Sequence, residues 1–320
     1  MTYKTLQFGD EIRVVAPSIS WLETRKRLAD YARAQTRLES LGYKVSFGDN
    51  IKQVYQQGTA PAQARADDLN AALADRRVRA ILAVTGGWSA NEVLPRVDWA
   101  AARKDPKPLI GFSDITVLLN AFYAKAGAVQ FLGPNFSTLG KMTEWRYTLE
   151  NFQAALSGRS VELVRSQRWS DHARKIHAGK TWRVLQSGAA SARLLGGNLG
   201  TFYLLQGTRY CPKFDSPFIF AMEDDAEAGS LTGREVARRF ESLLQLPNFR
   251  DNLRGLIVGR FETASKVSTK EISEIIRSKD LPKDLPIALG IDFGHTLPIL
   301  TLPIGGVVKL EVGRRIKIAI

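Results

Sequence analysis

Cysteine is nearly absent from this chain: Cys211 is the only one in 320 residues. A lone thiol excludes an internal disulfide and a cysteine-based metal cluster, and it fits a reducing cytoplasm. Histidine is almost as scarce, at positions 172, 177 and 295, so any chemistry that needs imidazole has few places to find it. No apolar run reaches 18 residues, which leaves no candidate membrane-spanning helix. The opening residues lack the long apolar stretch of a secretory signal and read as a strand. Internal repeats, low-complexity tracts, a G-x-G-x-x-G turn and a Walker-type phosphate loop are also missing, so the common dinucleotide and phosphate-cradle signatures do not apply.

What is present is a globular composition, 44% hydrophobic and 24% charged, long enough for two domains or one large α/β unit. The net charge of +13 is the unusual global value. Residues 159–183 hold seven Lys/Arg against two Asp/Glu, five of those thirteen charges. Basic charge favours polyanionic partners, but it equally serves surface solubility, and no nucleic-acid-binding module is recognisable. No nucleic-acid or membrane partner is expected.

Apolar runs alternate with helical patterns through the first half. "EIRVVAPS" (11–18) reads as a buried strand, 21–41 as a helix closed by Gly42, "YKVSFG" as a strand and "APAQARADDLNAALAD" as a helix. "VRAILAV" and "PLIGF" follow as further strands. Such alternation predicts parallel βαβ units. Residues 141–190 show no clean period and read as a linker plus a long basic loop. A second unit follows, with strands at "PFIFAM" and "RGLIVGRF" and helices near 234–246 and 269–278, and "VVKLEVGRRIKIAI" alternates like a terminal hairpin. The expected domains are 1–150, a linker and basic loop at 151–185, and 186–320.

In parallel sheets functional groups gather at the carboxyl ends of strands, and four stretches lie at such places. In "PLIGFSDITVLLNAF", Ser113 stands between a buried strand and a helix whose Ile115, Leu118, Leu119 and Phe122 share one face. Such a turn exposes a serine Oγ and aims the next N–H, from Asp114, at a reaction centre; the same residues also serve as an ordinary helix cap. "VTGGWSANE" places Gly86 and Gly87 where backbone N–H groups can approach an oxyanion, before a capping-box pattern at Ser89–Glu92; a tight turn is the plainer reading. His295 follows an apolar run and Gly294, as a structural histidine or as the base for a serine. "FIFAMEDDAE" runs a strand into Glu223, Asp224 and Asp225, which suit orientation of a histidine, a turn cap or a hard cation. Ser113, Glu223 and His295 have the chain order found in α/β-hydrolases, although the fold pattern differs from that family.

With these stretches in their order, the sequence resembles the serine peptidases that include LD-carboxypeptidases and microcin C self-immunity peptidases. "GDEIRVVAPS", "GGWSANEVLPRVDW", "KPLIGFSDITVLLNAF", "ARLLGGNLGTFYLLQGTRY" and "GIDFGHT" carry the resemblance across nearly the whole chain. It implies Ser113 as nucleophile, His295 as general base, Glu223 as its orienting acid, and an oxyanion hole from the Gly87 and Asp114 N–H groups. It also implies a Rossmann-like N-terminal domain with a parallel sheet, and a smaller C-terminal α/β domain ending in antiparallel strands. A cytoplasmic homodimer with no metal or organic cofactor is expected. Many LD-carboxypeptidases have Arg before the paired glycines and Tyr after them, where this sequence has Thr85 and Trp88. "GGWSANEVLP" is more similar to the immunity branch, which cleaves an amide between a peptidyl or aminoacyl group and a nucleotide phosphate. The expected substrate is thus a peptidyl-nucleotide, with Gly86, Trp88, Trp169 and Trp182 as substrate-binding candidates; the alternative is a murein tetrapeptide that loses its terminal D-alanine.

Overall fold

The structure is a computed structural model that describes residues 3–23, 28–172, 175–179 and 181–320. The first half alternates as its hydrophobic pattern dictates: β1 (Glu11–Val15), α1 (Leu28–Ser40), β2 (Lys44–Phe47), α2 (Ala62–Ala74), β3 (Val78–Ala83), α3 (Trp99–Lys104), β4 (Leu109–Gly111), α4 (Thr116–Ala126) and β5 (Gln130–Leu132). These strands lie parallel in the order β2-β1-β3-β4-β5. Around β3 the two-sided burial is explicit. Ala80, Leu82 and Val84 pack into one core with Tyr31, Ala34 and Leu38 of α1. Ile81 and Ala83 face the other core, with Leu69, Ala72 and Leu73 of α2. That is why the strand reads as a continuous apolar run. The chain leaves β1 toward β2 on one side and returns to β3 on the other, so the loops after β1 and β3 part and open a crevice.

The second half adds α5 (Phe136–Leu139), α6 (Trp145–Leu156), β6 (Arg168–His172), β7 (Lys175–Ala178), β8 (Arg183–Gln186), β9 (Gly188–Asn198), α7 (Leu199–Tyr203), β10 (Phe218–Glu223), α8 (Thr232–Leu244) and α9 (Phe249–Asn252). It continues with β11 (Leu253–Gly259), α10 (Thr269–Arg277), β12 (Ile287–Ile291), β13 (Leu302–Ile304), β14 (Val307–Val312) and β15 (Ile316–Ala319). Strands β9 to β12 are parallel neighbours. Strand β13 joins the halves, antiparallel to β5 and parallel to β9, so one mostly parallel sheet of 13 strands runs through the described residues. The tail forms the expected antiparallel hairpin, β14 with β15. No helix among the described residues is long and apolar enough to cross a membrane.

Two expectations change. The helix expected over 21–41 is helical from Leu28 to Ser40; residues 24–27 lie outside the described residues. Residues 141–190 are not a linker and long loop. Helix α6 buries Thr148, Leu149, Phe152, Ala155 and Leu156, a helical period diluted by polar neighbours. Within the basic segment β6 and β7 pair as a separate antiparallel ribbon. It has little apolar alternation because it is anchored through its backbone: Ser170 and Leu297 exchange N–H···O bonds of 2.8 and 2.6 Å. Residues 173, 174 and 180 of that segment, and the side chain of His172, lie outside the described residues. At the end of the same segment, β8 is an edge strand beside β12, paired antiparallel.

Candidate active site

Strand β4 is buried throughout and stops at Gly111. Two residues later Ser113 holds φ at 61°, a left-handed backbone that is uncommon for a residue with a side chain. A single helical turn and α4 follow, with Thr116 to Phe122 all buried. The buried strand and helix hold the turn on both sides, and that packing sustains its strain. Gly86 lies against it: a Cβ there would come within 2.9 Å of Ser113 Cβ. Gly87 is at φ +150°, and its Cβ would fall 2.3 Å from Ser18 Oγ. Both positions therefore require glycine. The backbone N–H groups of Gly87 and Asp114 have no hydrogen-bond partner among the described residues, and both residues line the cleft beside Ser113.

From the other half, β10 is buried along its length and delivers Glu223, 1% exposed, at its end. His295 follows β12 by four residues. Gly294 makes its approach possible, because a Cβ there would stand 2.5 Å from Glu223 Oε2. The imidazole lies between the two expected partners: Nδ1 is 2.8 Å from Glu223 Oε2 and Nε2 is 3.0 Å from Ser113 Oγ. Phe112 closes one edge of the ring at 5.3 Å between centroids. Burial works against a charged imidazole here. The carboxylates of Glu223 first, then Asp225 and Glu262, outweigh it and push the histidine up to about 9.

The remaining acids have separate tasks. Asp224 is buried against Arg239 of α8, 2.9 Å away, and burial with the neighbouring Glu223 charge pushes it up to about 6. Asp225 accepts the Glu227 N–H at 2.9 Å and so closes the turn. The capping box expected at Ser89–Glu92 does not form. Ser89 makes no side-chain cap, and the Glu92 carboxylate pairs instead with the buried Arg65 guanidinium, which draws it across to α2.

Ser113 and His295 open onto a cavity of about 620 Å³. Gly86, Gly87 and Trp88 line it, and Trp88 is 62% exposed. Trp169 and Trp182 do not. The Trp169 ring stacks on His177 at 4.1 Å, with the Arg260 guanidinium 5.1 Å from its centre, and it lines a neighbouring cavity. Trp182 donates Nε1–H to Asp292 at 2.8 Å and packs against the core.

Residues 12–133 match an LD-carboxypeptidase N-terminal domain and residues 191–310 an LD-carboxypeptidase C-terminal domain. The chain belongs to the LD-carboxypeptidase family of serine peptidases. This LD-carboxypeptidase family member is 35% identical to a putative carboxypeptidase of Treponema pallidum, over 97% of this chain and 92% of that protein. An MccF-like protein from Bacillus anthracis has the same fold with a TM-score of 0.95, at 33% identity over 100% of this chain and 99% of that one. MccF, the microcin C7 self-immunity protein of Escherichia coli, has been solved with glutamyl sulfamoyl guanosine; its TM-score is 0.88 at 26% identity, covering 99% and 97% of the two chains.

Sequence reasoning overlooked several residues of this family member's cleft. Ser18, fully buried and hydrogen-bonded to the Asp114 carboxylate, follows β1 at the same kind of strand end as Gly87 and Ser113. Lys141, Asp171, Glu227 and Glu262 line the cavity; their separation in the chain leaves no local pattern to find.

Proposed function

We propose that this family member hydrolyses an amide through an acyl-enzyme on Ser113. The observation that carries the reading is the His295 imidazole held between Ser113 Oγ at 3.0 Å and Glu223 Oε2 at 2.8 Å. His295 Nε2 takes the Oγ proton as Oγ attacks the scissile carbonyl carbon. Negative charge collects on the carbonyl oxygen, and the N–H groups of Gly87 and Asp114 stabilise it. His295 then protonates the leaving nitrogen, and the C–N bond breaks. Water enters, gives a proton to His295 and attacks the ester; the acid leaves and Oγ regains its proton. Glu223 holds the Nδ1–H tautomer and stabilises the imidazolium. No step calls on a metal or organic cofactor.

For the substrate, an aminoacyl- or peptidyl-nucleotide is the first choice. Three things support it: likeness to MccF, the Trp88 ring exposed in the cavity, and room for a nucleoside-sized group. The cavity favours stacking on Trp88 rather than on Trp169 or Trp182, which lie elsewhere. The second choice is removal of terminal D-alanine from murein tetrapeptides. It is favoured by Asp171, Asp225, Glu227 and Glu262, which line the cavity against Lys141 and suit a substrate with free amino groups. A cytoplasmic homodimer completes the proposal, by resemblance to the family.

The test offers both compounds, a murein tetrapeptide and an aspartyl sulfamoyl adenosine, to one purified sample, with Ser113→Ala as control and products read by mass spectrometry. Cleavage of the adenosine conjugate by wild type alone supports the first choice. Release of D-alanine supports the second. Equal turnover by folded Ser113→Ala overturns the mechanism.

A further inference from the structure

Three loops converge on Ser113, and the groups that tie them together are not the groups that react. Ser18, in the loop after β1, is fully buried, and Asp114 is 2% exposed. A buried carboxylate is costly unless its oxygens are satisfied. Asp114 accepts the Ser18 hydroxyl at 2.5 Å and the Ala90 N–H at 2.8 Å, a charge-assisted pair that reaches into the two other loops. In the same place the Ile19 N–H donates to the Gly86 carbonyl at 3.3 Å. The Gly86–Gly87 peptide is planar and trans, so its C=O and N–H point in opposite directions. Holding the Gly86 carbonyl toward the β1 loop turns the Gly87 N–H away from it. Without a Cβ, Gly87 can rotate easily, so its plane depends on the hydrogen bonds around it.

We propose that Ser18 and Asp114 are positioning residues that form a buried clamp, setting the direction of the Gly87 N–H; the proposal rests on Ser113 being the nucleophile. The clamp seats the β1 loop so that Ile19 N–H meets the Gly86 carbonyl, and the glycine N–H is aimed before substrate arrives. Asp114 thus serves twice, through its backbone N–H and through its carboxylate. Arg65 offers a competing explanation. It is buried, and it donates to the Pro17 carbonyl at 2.9 Å and the Ser89 carbonyl at 2.9 Å, bridging the same two loops. If Arg65 alone held them, the Ser18 hydroxyl would be dispensable.

Ser18→Ala decides between these, because it removes one oxygen and leaves Arg65 in place. Competent sites are counted by fluorophosphonate labelling taken to completion, so partial unfolding does not count as lost catalysis. Turnover per labelled site is then measured on whichever of the two substrates above the wild type cleaves. The expected result is a fall in kcat of about 10–100-fold, near or below what losing one oxyanion donor costs, with KM within about twofold and the rising pH limb unmoved. Asp114→Asn, which keeps one acceptor oxygen, should lose less than Asp114→Ala. Wild-type kcat per labelled site in Ser18→Ala overturns the clamp, as does a loss confined to KM or a displaced pH limb. A wild-type protein that takes no label and cleaves neither substrate overturns the serine mechanism itself, a separate outcome.

Discussion

The cleft around Ser113 and the ribbon of β6 and β7 are ordered by different physics. In the cleft, a buried strand end and a strained turn leave Ser113 little freedom, and at Gly86, Gly87 and Gly294 neighbouring atoms stand where any side chain would lie. Reacting groups gain from such rigidity, since preorganised dipoles need not reorganise during the reaction. The ribbon has a mostly exposed face in β7, and the backbone pair Ser170–Leu297 and the stack of Trp169 on His177 anchor it. A cluster of positive charge and aromatic rings reads as a binding element from composition alone. Its rings in fact pair with its own residues and with Arg260.

That contrast can be broken at several points. The largest effect belongs to Ser113→Ala: loss of the proposed nucleophile should cut kcat by about 10⁶-fold, with an unchanged melting temperature within about 2 °C. Glu223→Gln should follow with a loss on the order of 10⁴, because the amide no longer favours the imidazolium. A pH–rate profile gives the next largest range. The base must be neutral, and His295 is pushed up to about 9. So kcat/KM should keep rising up to about pH 9, where an ordinary histidine would have levelled off by about pH 7.5; a plateau from about pH 7.5 upward would contradict the acidic surroundings. The same raised value adds stability that is complete below about pH 6.5 and is lost as pH climbs through about 9. Thermal melts across that window read it directly. The smallest effects separate the two regions: Trp88→Ala should raise KM by about 5–150-fold on the adenosine conjugate, from the usual value of a base stack, while Trp169→Ala should leave kcat and KM within about twofold. The reverse pattern would return the ribbon to the binding site.

Much of this was legible locally. Strands β1, β3 and β4 announce themselves as apolar runs, and α4 by Ile115, Leu118, Leu119 and Phe122 on one face. Gly86, Gly87, Ser113, Glu223 and His295 stand where strands end. Other features depend on partners that only folding supplies. Glu92 sits at capping-box spacing from Ser89, yet pairs with Arg65, 27 residues earlier in the chain. Ser18 reaches Asp114 across 96 residues, and neither residue's neighbours hint at the other. Helix α6 was obscured because only one side of it is buried, and polar residues dilute its period.

The sequence by itself determined the alternation of strands and helices, the family, and the residue types at each strand end, because backbone sterics and side-chain burial act over a few neighbouring residues. Tertiary structure alone decided which of those ends meet: that His295 lies between Ser113 and Glu223, that the Trp169 and Trp182 rings turn away from the cavity, and that carboxylates surround the imidazole and raise it. Those outcomes depend on distances of a few ångströms between residues tens to hundreds of positions apart, and electrostatic and hydrogen-bond energies are set by such distances rather than by order along the chain.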